Sequence, residues 1–136
     1  MEVTMAEHPN AALIRKAMEE LNQGNPSGLM GLIADDAVFY IPGNSPVAGE
    51  YRGKEAIAGF LQHLGQLSEE PLHVDLHYIL TGGDEHVVAV WTAHAARKGI
   101  TYEGIAGYIF RVRDQQIVEG RNLQADQDAV DQFWSA

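Results

Sequence analysis

The segment His86-Val-Val-Ala-Val-Trp-Thr-Ala-His-Ala-Ala96 leaves few folds open, because both of its alternating sets of residues are mostly apolar. Successive side chains of a strand point to opposite faces of a sheet. A strand of this composition therefore loses water on both sides. It sits within residues 72–125, a stretch that turn signals divide into four long strands. Thr81-Gly-Gly-Asp-Glu85, Gly99 and Asp114-Gln115 mark the reversals. On the first strand Leu72, Val74, Leu76, Tyr78 and Leu80 share one parity, and His73, Asp75 and His77 share the other. Gly104 and Gly107 predict a bulge or sharp curvature in the third strand. One face of such a sheet can receive helices. The other needs a second cover, most simply another copy of the chain.

The helices to cover the first face come before the sheet. Leu13, Ile14, Ala17, Met18 and Leu21 form one stripe of a helix over residues 10–23, stopped by Gly24. Asn25-Pro26 predicts a capped start for a short second helix ending near Ala34. Asp35-Asp36 then turns into a strand over residues 37–41. Residues 42–53, rich in Gly and Pro, predict a loop at a pocket rim. Ile57, Phe60, Leu61 and Leu64 mark a third helix over residues 54–67, and Asp126 is placed to cap a short terminal helix bearing Val130, Phe133 and Trp134. The pattern predicts one α+β domain over residues 1–136: three N-terminal helices on a strongly bent antiparallel sheet, a short C-terminal helix, and a cavity between the layers.

Charge excludes some partners. The 136 residues carry a formal net charge of −10, which opposes binding to nucleic-acid phosphates and to anionic membrane surfaces. There is no cysteine, so no disulfide and no thiolate site. Residues 1–7 show neither a basic start nor an apolar run, and the expected location is cytoplasmic.

Three motifs carry a family resemblance. They are Ala34-Asp-Asp-Ala-Val38, Arg52-Gly-Lys-Glu-Ala-Ile57 and Phe110-Arg-Val-Arg-Asp-Gln-Gln-Ile-Val-Glu119. Together the chain resembles the nuclear-transport-factor-2-like (NTF2-like, cystatin-like) superfamily, nearest its SnoaL-like branch. The resemblance implies a cone-shaped fold, a homodimer through the outer face of the sheet, and a small, largely apolar organic ligand. It implies no cofactor and no metal. Function varies within this superfamily. Where relatives resembling ketosteroid isomerases carry their tyrosine and acids, this chain has Ala17, Ile41 and Gly107. The late-strand aspartate of relatives resembling limonene-epoxide hydrolases and SnoaL cyclases falls on Ala125, with Asp126 one residue later.

The residues themselves offer other candidates. Tyr40, His94, Glu103, Arg121 and Asn122 are the groups from which a proton-transfer site would be assembled: imidazole titrates near neutrality, a buried carboxyl is raised towards it, and Arg can neutralise an acid. His94 lies near Trp91, Tyr102 and Tyr108, whose bland role is core packing. Glu103, Glu119 and Arg121 fit ion pairs on a solvated face equally well. His73, Asp75 and His77 alternate as metal ligands can, without an evident fourth. Two functions stay open: a cofactor-free isomerase, cyclase or hydratase, and a non-catalytic ligand-binding or dimerisation module.

Overall fold

A computed structural model describes residues 7–136; Met1 to Ala6, most of the stretch considered above as a leader, lies outside the described residues. Helix α1 (Pro9–Asn22) buries Ala11, Ile14, Ala17 and Met18. The backbone N–H of Asn25 reaches back to the Glu20 carbonyl at 2.9 Å, and Gly24 takes φ +83°, the left-handed stop that glycine allows without strain. Helix α2 (Ser27–Leu32) follows, its first turn held by Asn25, whose Oδ1 accepts from the Ser27 N–H at 3.2 Å.

Strand β1 (Ile33–Ile41) begins well before the expected 37–41. The helix therefore ends at Leu32, and Asp35-Asp36 lies inside the strand, at an irregular step in its pairing with the last strand. Residues 42–53 also contain a strand, β2 (Gly49–Arg52), paired antiparallel with β1. Its signal was small: Tyr51 turns inward, while Glu50 and Arg52 pair at 2.7 Å. Helix α3 (Lys54–Leu67) buries Ile57 and Phe60.

Strands β3 (His73–Gly82), β4 (His86–Arg97), β5 (Ile100–Arg113) and β6 (Gln116–Gln124) complete a six-stranded sheet of order β2-β1-β6-β5-β4-β3. It is mixed, because β1 runs parallel to β6; every other pair is antiparallel. Helix α4 (Gln127–Ser135) closes the chain, with Asp126 Oδ1 accepting from the Ala129 N–H at 3.1 Å.

Two features correct the expected faces. The β3–β4 register skips His77, going from Leu76 opposite Trp91 to Tyr78 opposite Val90. One extra residue reverses parity beyond it. Val74, Leu76 and Ile79 accordingly pack against the core, while Tyr78 and Leu80 are 54% and 58% exposed on the outer side. The bulge expected at Gly104 and Gly107 is absent, for the β4–β5 register is unbroken from His86 to Arg97. A Cβ on Gly107 would instead collide with the Ala89 carbonyl oxygen. The two backbones close up there, and glycine is what lets them.

The main core lies between the inner sheet face and the helices: Ile14, Met18, Ile33, Phe39, Ile57, Val87, Trp91, Phe110 and Ile117 are all buried. A smaller cluster of Ile41, Val47 and Phe60, flanked by Leu64, Leu67 and Trp134, closes one end.

Candidate functional site

Between the inner sheet face and the helices is a cavity of about 180 Å³. Its sheet wall is set by strand alternation and register. Trp91 and Ala93 of β4 face Ala106 and Gly104 of β5, and Tyr108 and Ala106 face Asn122 and Gln124 of β6. The opposite wall comes from Met18, Leu21, Leu29, Phe60, Leu61 and Leu64. The partly exposed Leu72, Tyr102 and Trp134 also line it. Residues 42–47 form part of the rim, tied to α4 by Asp131, whose Oδ2 accepts from the Asn44 N–H at 3.0 Å. Tyr51 holds the same loop by donating to the Val47 carbonyl at 2.7 Å.

Tyr108 stands at the centre of the aromatic wall. Its ring stacks on Phe110 at 5.1 Å and meets Phe39 at 5.6 Å and Trp91 at 5.8 Å. Burial drives its phenol well above the usual range, and the neighbouring Asn122 amide offsets only part of that. The Tyr51 and Tyr102 phenols are also raised by burial. All three stay protonated at neutral pH. Below Tyr108 runs a short polar strip. Asn122 Nδ2 donates to the Gly107 carbonyl at 3.3 Å, and Gln124 Nε2 donates to Asn122 Oδ1 at 3.0 Å. Gln124 Oε1 is buried and has no hydrogen-bond partner. No Asp, Glu, Lys or Arg among the described residues lines the cavity.

The five candidate residues do not converge. Asn122 alone turns its side chain into the cavity. Tyr40 and Arg121 are register partners on the outer face, with the guanidinium 4.1 Å from the ring centroid and its Nε 2.5 Å from Glu119. Glu103 is also on the outer face, its side chain 71% exposed. His94 borders the open end of the cavity, but its Nε2 engages Asp75 Oδ2 at 2.7 Å on the far side of the sheet from Trp91. His73 Nε2 meets the other Asp75 oxygen at 2.8 Å. These hydrogen bonds, from His73 and then His94, hold the Asp75 carboxyl below its usual range. His77, at the bulge, bonds Thr92 Oγ1 at 2.6 Å instead. The alternation of His73, Asp75 and His77 thus does not produce one ligand set, and no group of three His, Asp or Glu among the described residues is arranged to hold a metal ion.

Sequence reasoning passed over Gln124. It lies in a strand with no motif around it, and its role depends on where the Gly107 carbonyl points. Only inward parity shared with Asn122 and Tyr108 could have marked it.

Helices on one face of a curled sheet, with a chamber between them, define the NTF2-like class of α+β fold. The chain belongs to the SnoaL-like domain family, whose pattern it matches over residues 14–120. It is 24% identical over 131 residues to an uncharacterized protein of Mycobacterium tuberculosis, covering 96% of this chain and all of that one. Among solved structures it is similar to Bal32a from a soil-derived mobile gene cassette, at 26% identity and TM-score 0.87, covering 92% of this chain and 95% of the other. A Xanthomonas campestris protein of unknown function with a cystatin-like fold superposes with TM-score 0.86 at 22% identity, over 93% and 98% of the two chains. No described helix is long and apolar enough to cross a membrane.

Proposed function

We propose that this protein binds a neutral, largely apolar organic molecule in the cavity and performs no chemistry on it. The observation that carries this reading is the wall itself: mostly aromatic and aliphatic, with the Asn122 and Gln124 amides inside and the His73 and His94 imidazoles at the open end, and without one Asp, Glu, Lys or Arg among its described residues. An ion entering it would lose its hydration and find no countercharge, at a cost of several kcal/mol. A ring finds good surroundings, since an apolar void of about 150 Å³ already accommodates benzene. Proton abstraction needs a titratable base within reach of the substrate. Asn122 and Gln124 do not titrate, the tyrosines are held protonated, and the His73 and His94 imidazoles at the open end turn their Nε2 atoms to Asp75.

Calorimetric titration with naphthalene and with 2-naphthoate tests this. Naphthalene should bind and the carboxylate should bind at least about tenfold more weakly. Ala93→Leu, which fills the cavity, should remove naphthalene binding. Tighter binding of the carboxylate would defeat the reading.

The rival is cofactor-free isomerisation, cyclisation or hydration. What favours it is the position of His94 at the open end. A catalytic His94 would make His94→Ala lose turnover; in the binding-only reading His94→Ala leaves naphthalene affinity unchanged.

The outer sheet face supports a homodimer as the working unit. Tyr78, Leu80, Ile105 and Leu123 are all substantially exposed there, around Val88, Val90 and Ile109. A patch of this kind on a sheet is characteristic of an interface.

A further inference from the structure

We propose that Gln124 selects the ligand, and that the molecule bound in the cavity presents an O–H or N–H donor to Gln124 Oε1. This deepens the binding reading above and rests on it.

Hydrogen-bond chemistry along the polar strip fixes the orientation of both amides. The Gly107 carbonyl can only accept, so the Asn122 group facing it at 3.3 Å must be the NH₂. That turns Asn122 Oδ1 towards Gln124. An amide oxygen can only accept, so the Gln124 group facing it at 3.0 Å must again be the NH₂. Flipping either amide would oppose two oxygens or two NH₂ groups. The backbone of β5 thereby dictates that the last atom of the series is Gln124 Oε1, an acceptor. It is unpartnered and closed off by its surroundings, so a donor in the cavity meets it once the Gln124 side chain turns towards the ligand.

A buried acceptor left empty is costly, whereas an apolar wall is indifferent to which ring it holds. The strip therefore distinguishes ligands by one property. A ring carrying a hydroxyl or N–H fills Oε1; the same ring with that hydrogen replaced by methyl leaves it empty and adds bulk. The chemical class is a neutral ring alcohol, phenol or N–H heterocycle. Tyr108, on the adjacent strand and protonated, adds a phenol O–H to the same part of the wall.

The test compares naphthalene, 2-naphthol and 2-methoxynaphthalene by calorimetry on the whole protein and on Gln124→Met. The wild type should bind 2-naphthol on the order of tenfold more tightly than its methyl ether. Gln124→Met, near in shape but lacking the acceptor, should bring the two within about twofold while still binding naphthalene. If the wild type binds all three alike, a resident water serves Oε1; the selection by Gln124 is then overturned and the apolar binding reading stands. If it binds none of them, both fall. The wild-type ranking decides the matter even should the variant fail to fold.

Discussion

Gly107 and Gly120 show how much a missing side chain can determine. A Cβ on Gly120 would come within 2.8 Å of the Phe39 ring, which needs that space to lie against Phe110 and Tyr108. At Gly107 the obstacle is backbone, which cannot rotate aside. Gly107→Ala should therefore destabilise the protein by about 2–4 kcal/mol, with Gly120→Ala nearer the low end because a ring can shift. Chemical denaturation of the two variants checks both the size and the order. A Gly107→Ala protein as stable as the parent would contradict the close approach of β4 and β5. The sequence shows that Gly107 is special, because a glycine inside an apolar strand needs a reason. It does not show whether that reason is a bulge or a contact. His77 is the opposite case. Nothing in its neighbourhood announces an extra residue, yet skipping it sends Tyr78 and Leu80 outward and Ile79 inward.

Among elements, the β3–β4 turn is held by charge. Glu85 accepts from Arg111 Nε at 3.1 Å and from Arg113 Nε and Nη2 at 3.2 and 3.1 Å. Its backbone carbonyl also takes the Val112 N–H at 2.7 Å. The guanidinium of Arg113 and then that of Arg111 lower the Glu85 carboxyl from 4.5 to about 2. A carboxyl lowered on folding stabilises the native state above its unfolded value, and that contribution is lost as pH falls through the folded one. The parent should thus lose its advantage over Glu85→Gln between about pH 4.5 and pH 2. Paired thermal melts across that interval measure it. A constant gap between the melting temperatures would mean that Glu85 acts through shape and not charge. The elements themselves were largely legible: the stripes of α1 and α3, the four long strands and the Asp126 cap follow from periodicity and turn residues. The start of β1 and the whole of β2 were not. Asp35-Asp36 resembles a turn, and a strand of four residues is too short to display a period.

For the whole molecule, the two faces of the sheet divide the work. The inner face makes the cavity, and the outer face carries Tyr40, Arg121, Glu103 and His94 around an apolar centre. Parity along β4 showed two mostly apolar faces, of which the inner one is covered by the helices. What parity could not assign was which set faced in, and four of the five candidate residues fell on the side away from the cavity. If the outer face joins two copies, light scattering at micromolar concentration should give twice the chain mass. Leu80→Glu combined with Ile105→Glu should give the single chain mass, since two carboxylates would be buried without partners. A monomeric parent protein would sink the dimer reading.

Asn22 bears on the same question from another side. Its Oδ1 accepts from the Val74 N–H at 3.0 Å, and its Nδ2 donates to the Val74 carbonyl at 2.6 Å. One amide side chain from α1 thus occupies both backbone groups that β3 would show a further strand at that point. At the opposite border β2 is four residues long, starting at Gly49 and followed by Gly53, both at positive φ. Polymerisation by strand addition needs a free, regular border; Asn22 interrupts one border at Val74, and the other is short. If the outer face joins two copies, a patch meeting its own copy is used up after two chains. A protein joined in that way counts to two and stops, so concentration should drive it to saturation and not to fibres.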